Sequence, residues 1–318
     1  MGPIVKRCFV IVGAVLLGLC AAAVVYLVWA AAYRSAQPSQ ASNHSGNGPE
    51  RIVSMAPSTT EILFALGVGE RVVGVTRFCD YPPETRAITT VGGYADPSYE
   101  TIVSLRPDLV VLLDSHRDAK AELEKLGIRT LTTPHQTAAD VHEAIRRIGA
   151  ACGAADEADV LLAELGERTE AVRHAVAGLG RPRVFMCIER DTSSAQLAGM
   201  VVVGSDGFYN EIIRLAGGVN AYEDATIAYP QLSAEGAIQL NPDVIVDLVA
   251  RVPPDGPTRE QIARQWNRLR TVPAVRRERV HVIVAPYAVR PGPRYVDFLE
   301  QLARLLHPEA FSEGVPDG

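Results

Sequence analysis

The 318 residues carry 31 basic and 37 acidic side chains, a formal net charge of -6. That balance gives no support to nucleic-acid binding, which calls for a basic face, and the length suggests two globular units of ~100–200 residues each. Hydrophobic residues make up 47% and charged residues 21%, the proportions of a folded protein with an ordinary core.

Near the start, Lys6-Arg7 precede an uncharged apolar run from Cys8 to Ala32. A secretory apolar region is ~7–15 residues long, whereas a spanning helix needs ~20. The length therefore predicts an uncleaved signal-anchor within 1–34, Lys6 and Arg7 staying cytoplasmic and the remainder lying outside the inner membrane. Two other readings stay open. Leu17-Gly18-Leu19-Cys20 resembles a lipoprotein signal, although Leu19 is bulky for its position, and cleavage after Ala30–Ala32 is the other; all three export the chain. Residues 35–50, rich in Ser, Gln, Asn, Gly and Pro, read as a flexible tether.

From Arg51 the pattern alternates strand and helix. A strand at 51–55 precedes a helix from Ser58 to about Leu66, with Ser58 as N-cap and Glu61 at the capping-box offset. Strands at Val72–Val75, Leu109–Leu113 and Ile128–Leu131 alternate with helices at Arg117–Leu126 and Ala138–Ala151, closing a first lobe over 51–153. The apolar stripe of Val160, Leu161, Leu165, Val172 and Val176 predicts one long helix within 154–180, spanning ~35 Å at 1.5 Å per residue. Residues 181–318 repeat the alternation, with strands at Arg183–Ile188 and Val280–Val284 and a final helix to about Leu306. Such alternation predicts an α/β fold: two Rossmann-like lobes with parallel sheets, joined by one long backbone helix.

One unit occurs twice. Asp96-Pro97-Ser98-Tyr99-Glu100-Thr101-Ile102-Val103-Ser104-Leu105-Arg106-Pro107-Asp108 is matched by Gln231-Leu232-Ser233-Ala234-Glu235-Gly236-Ala237-Ile238-Gln239-Leu240-Asn241-Pro242-Asp243, and each runs into a β-branched apolar stretch. Each copy reads as a short helix capped by Ser98 or Ser233, stopped before proline and followed by a buried strand. Two copies so far apart indicate two similar lobes rather than a short-period array.

Signals for catalysis are missing. There is no Gly-x-x-x-x-Gly-Lys-[Ser/Thr] phosphate loop, and Gly204-Ser205-Asp206-Gly207 misses the nucleophile elbow by one position. The seven histidines are scattered without a His-x-x-x-His pair, and the five cysteines form no C-x-x-C, so no catalytic, metal or cofactor site is assigned. Cys79, Cys152 and Cys187 fit either one disulfide plus a thiol or three buried thiols. What stands out instead is a set of aromatics in loops at the carboxyl ends of strands: Phe78, Tyr81, Tyr94, Tyr229 and Tyr287. That edge of an open α/β sheet is where ligands bind, and stacking faces suit a large, flat, partly apolar ligand.

Residues from about Arg51 to Pro308 resemble the helical-backbone substrate-binding proteins of ABC importers, which carry cobalamin or ferric siderophores. The resemblance rests on 54–67, Asp80-Tyr81-Pro82-Pro83, the two repeated units, the long helix and Arg290-x-x-x-Arg294. It implies a non-enzymatic, monomeric, extracytoplasmic receptor that holds a metal chelate between its lobes and hands it to a permease dimer in the inner membrane. It further implies that Glu100 and Glu235, one per lobe, meet the two permease subunits; an acidic residue in a first turn also suits the helix dipole. Phe78, Tyr94, Tyr229 and Tyr287 lie where cobalamin-binding members carry aromatics, several of them Trp there, and Leu113 stands where another is expected. Arg190, Arg290 and Arg294 could face the anionic chelate of a siderophore, or, for Arg294, brace the final helix. A corrinoid is preferred to a siderophore, with haem third and Tyr94 or Tyr229 as its axial candidates. A membrane-tethered sensor or chelatase-like enzyme on the same fold is the reading from another class.

Overall fold

The computed structural model describes residues 48–194, 196–205, 207–222 and 227–311. The apolar run at 8–32 and nearly all of the tether lie outside these residues; among those described, no helix is long and apolar enough to cross a membrane.

The first lobe is built from β1 (Ile52–Ser54), α1 (Pro57–Ala65), β2 (Val72–Val75), β3 (Thr89–Thr90), α2 (Tyr99–Ser104), β4 (Leu109–Leu113), α3 (Arg117–Lys125), β5 (Thr130–Thr133) and α4 (Ala138–Cys152). Its five strands run parallel in the order β3-β2-β1-β4-β5. Every residue of β4 is buried, as expected of a central parallel strand covered on both faces. The connection α5 (Ala155–Ala175) is 21 residues long, which spans ~32 Å. It packs on α4, where Gly149 leaves room for Ala158: a Cβ on Gly149 would lie 2.7 Å from that of Ala158.

The second lobe follows as β6 (Arg183–Glu189), β7 (Met200–Val202), α6 (Phe208–Leu215), β8 (Val219–Asn220), β9 (Gln231–Leu232), α7 (Ala234–Leu240), β10 (Val244–Val249), α8 (Arg259–Gln265), α9 (Pro273–Arg276), β11 (Val280–Val284) and α10 (Tyr295–Leu306). Its sheet is ordered β11-β10-β6-β7-β9, with β8 alongside β6. Here the expectation of a purely parallel sheet is corrected: β7 runs antiparallel to both β6 and β9. The reason is local, since the chain turns back after Glu189 through a short irregular loop instead of crossing over in a helix.

The duplicated unit turns out to be a fastening device. Both short helices end through a residue at φ 47°, Arg106 and Asn241, immediately before the proline. The aspartate after each proline then grips the neighbouring strand twice. Asp108 donates its N–H to the Arg51 carbonyl at 2.9 Å, and its carboxylate accepts the Arg51 N–H at 3.0 Å; for Asp243 and Arg183 the distances are 2.8 and 3.1 Å. Each arginine closes the motif by donating to the last carbonyl of its helix, Leu105 or Leu240. One half of the expected capping fails. Ser98 accepts the Thr101 N–H, whereas the Ser233 hydroxyl bonds Glu235 at 2.6 Å. Ser58 does not cap either: Pro57, pre-set for a first helical turn, starts α1 two positions earlier, with Ala56 at the N-cap.

Charged contacts tie the two lobes together. Glu61, expected to complete a capping box, is buried and accepts from Arg294 at 2.6 and 2.9 Å. Asp80 is held by Arg290 and, at 2.9 Å, by Arg251. Glu211 of α6 accepts the first N–H of α4 at 2.9 Å, and His142 meets Tyr295 at 3.0 Å. Arg168 fastens α5 to α10 through Asp297 and Glu300, at 2.7 and 2.8 Å. Cys79, Cys152 and Cys187 are buried free thiols.

Arg190, expected in the ligand cleft, is instead a core residue. Its side chain is 1% exposed and donates twice to the fully buried Asp247, whose same oxygen also takes the Trp266 indole N–H at 2.8 Å. Removing one partner of such a pair leaves a bare buried charge, so Arg190→Met should lower the unfolding free energy by about 3–5 kcal/mol. Urea denaturation at neutral pH checks this, and a loss below about 1 kcal/mol would contradict it.

Burial alone would raise the Asp80 carboxyl above its ordinary 3.8, but bonds and charge from Arg290 and then Arg251 outweigh it and hold it lower. A depressed carboxyl stabilises the fold above its unfolded pKa and loses that contribution as pH falls through the folded one. Thermal melts from about pH 6 down to about pH 2 should therefore fall less steeply for Asp80→Asn than for the unaltered chain. Parallel profiles would show that the pair contributes nothing.

Candidate functional site

The carboxyl ends of strands from both lobes meet around a cavity of about 490 Å³. His135, Gln136 and Thr137, following β5, form one wall, and Ile188, Tyr209 and Tyr229 belong to the other. Pro291, in the loop after β11, completes it. A second cavity of about 420 Å³ lies against α5, between α1, the Tyr81-Pro82 turn and the start of α10. Of the residues singled out in the sequence, Tyr229 lines the first cavity, while Tyr81 and Arg294 line the second.

The loop aromatics are displayed rather than packed away. Phe78 and Tyr94 are 49% exposed, Tyr229 45% and Tyr81 43%. Large rings held in water at a sheet's carboxyl edge are unfavourable unless something covers them. Tyr287 differs: it packs against the main core, and its hydroxyl donates to Gln301 at 3.2 Å.

The arginines are committed elsewhere. Arg294 is held by Glu61 and lies 3.7 Å over the Tyr81 ring and 5.2 Å from that of Tyr287. Arg290 pairs with Asp80, and Arg190 with Asp247. Guanidinium groups so engaged are poor partners for an incoming anion, because a competing carboxylate already occupies the fork.

One histidine that the sequence did not mark, His135, lines the first cavity, and a second, His116, lies near it. His135 is bonded through Nδ1 to Asp114 at 2.9 Å, leaving Nε2 as the outer nitrogen of a cavity-lining ring. A carboxylate behind an imidazole fixes its orientation and strengthens it as a metal ligand. His116 follows β4, is buried, and carries the Tyr94 ring at a centroid distance of 4.3 Å. Burial, followed by the neighbouring His135, lowers its pKa. Each follows a strand of the first sheet, His116 three positions after the central β4 and His135 two positions after the edge strand β5.

Glu100 and Glu235 are exposed in the first turns of α2 and α7. One turn further on, each helix shows an exposed aliphatic, Val103 and Ile238.

Comparison with known proteins accords with this arrangement. A family model described as periplasmic binding protein matches residues 52–287. The ABC transporter substrate-binding lipoprotein YvrC of Bacillus subtilis is 31% identical over 275 residues, covering 83% of this chain and 82% of the relative. A vitamin B12-binding protein of Vibrio cholerae is 25% identical over 259 residues, covering 81% and 89%. Among solved structures, the vitamin B12-binding protein BtuF of Vibrio cholerae superposes with a TM-score of 0.69 at 25% identity, covering 83% of this chain and 99% of that one. The heme-binding protein RhuT of Roseiflexus gives 0.70 at 29%, covering 83% and 100%. With about three-quarters of its length matched by the family model, alongside a relative above 30% identity, the chain belongs to the periplasmic binding protein family.

Proposed function

We propose that this protein is the extracytoplasmic substrate-binding component of an ABC importer, and that its cargo is a metal-bearing macrocycle of the corrinoid class. The observation that carries the reading is an interlobe cavity lined by Tyr209, Tyr229 and His135, together with Phe78 and Tyr94 half-exposed in loops that follow strands of the first sheet. Flat π faces bind a large conjugated ring by stacking, without requiring fixed charge. The vitamin B12-binding relatives support the corrinoid, and the lipoprotein relative supports a membrane-tethered receptor on the outer face. No reaction is assigned, and the protein acts as a carrier.

Haem is the second reading, and one observation favours it. His135, backed by Asp114, and Tyr229 line the same cavity from opposite lobes, and imidazole and phenolate are both haem-iron ligands. For an anionic siderophore the support is weaker, since the three arginines that would meet it are paired with carboxylates.

Titration calorimetry of the full chain in detergent with cyanocobalamin, cobinamide, hemin and a set of ferric siderophores separates these readings. One-to-one binding of a corrinoid is expected, tight binding of hemin with a shifted Soret band would select haem, and silence across the panel would remove the transport reading.

Docking to the permease falls to the repeated helices. Each offers a glutamate and, three residues on, an exposed aliphatic: Glu100 with Val103, Glu235 with Ile238. Two similar patches, one per lobe, suit a two-fold partner. Reversing both charges, Glu100→Lys with Glu235→Lys, should abolish uptake in cells while calorimetric affinity for the cargo stays unchanged. Normal uptake by that variant would sink the docking assignment.

A further inference from the structure

His116 is a hydrogen-bond donor that the fold leaves waiting. Its Nδ1 accepts the Leu113 N–H at 3.0 Å, so in the neutral ring the proton sits on Nε2. The residue is 5% exposed, and among the described residues its Nε2 has no hydrogen-bond partner. Burial keeps the ring neutral by lowering its pKa, so one N–H is presented at neutral pH. Native proteins retain few buried, unpaired polar groups, because each forfeits its hydrogen bonds to water.

The donor does not itself line the cavity but lies next to a residue that does, His135. His116 follows the carboxyl end of β4, and Asp114, two residues earlier, holds the cavity-lining His135. On its other side the half-exposed Tyr94 ring covers it, tilted by 48° at 4.3 Å. The Nε2 atom is itself buried, and the ring packed against the imidazole supplies it with no hydrogen-bond partner. The same ring is one of those offered to the cargo.

We propose that His116 is a ligand-binding donor covered by Tyr94: as the Tyr94 ring turns to stack on the cargo, the His116 Nε2–H is exposed and donates to an oxygen on the cargo's rim. The acceptor is an amide carbonyl or a carboxylate, the groups that fringe a corrinoid and a haem respectively. This rests on the macrocycle reading above. It also gives the cleft a source of specificity that stacking lacks, because a site with a buried donor discriminates against a ligand that cannot accept from it.

The test is calorimetry with cyanocobalamin and with hemin on the full chain in detergent, comparing the unaltered protein with His116→Phe. Whichever ligand the unaltered chain binds should be held about ten-fold more weakly by the variant. In unaltered protein labelled with 15N-histidine, the Nε2–H proton should move downfield on saturation, and Tyr94→Ala should speed its exchange with water before ligand is added. Affinity of His116→Phe within about two-fold of the unaltered chain, a resonance unmoved by saturation, or exchange indifferent to Tyr94→Ala overturns the inference and leaves the macrocycle reading intact. Should the variant melt early, the resonance decides. No binding of either ligand by the unaltered chain overturns both.

Discussion

The structure depends on carboxylates of the first lobe being neutralised by arginines of the second. Glu61 lies inside α1 with its side chain 3% exposed, where a lone carboxylate would be strongly disfavoured. The bidentate Arg294 that neutralises it is 233 residues away and enters from the far lobe. Asp80 is gripped in the same direction by Arg290 and Arg251. The lobes therefore stabilise one another, and α5, clamped to α10 through Arg168, holds their separation.

Those pairs also determine what the cleft can offer a ligand. Arginines spent on Glu61 and Asp80 are withdrawn from recognition, and the edge is left to aromatic faces and two histidines. Arg294 stacks on Tyr81, so the pairing shapes one aromatic as well.

The repeated unit shows one short sequence serving two faces. Its inner side is structural: proline stops the helix and aspartate locks the incoming strand, with matching distances in both lobes. Its outer side remains exposed, with a glutamate and an aliphatic at the same offset. The inner contacts fix each helix against its sheet, and the outer pair stays in solvent on both lobes.

Much of this was legible in the residues. The βα alternation, the long helix over 155–175, the duplicated Ser-x-Glu…Pro-Asp units and the loop aromatics follow from periodicity, turn residues and spacing, which act over a few positions and are written locally. The direction of β7, the early start of α1 at Pro57 and the fates of Glu61, Arg190 and Arg290 were not legible. A charged residue in a loop reads the same whether it faces solvent, a ligand or a carboxylate folded in from two hundred residues away. His116 and His135 were passed over for a related reason: a lone histidine has no periodic signature, and only the packing of Tyr94 and Asp114 against them distinguishes them. The sequence by itself determined the elements, their order and the loops in which the aromatics sit. Tertiary structure alone decided which charges were consumed and which donors were left open, because those outcomes depend on partners distant in the chain.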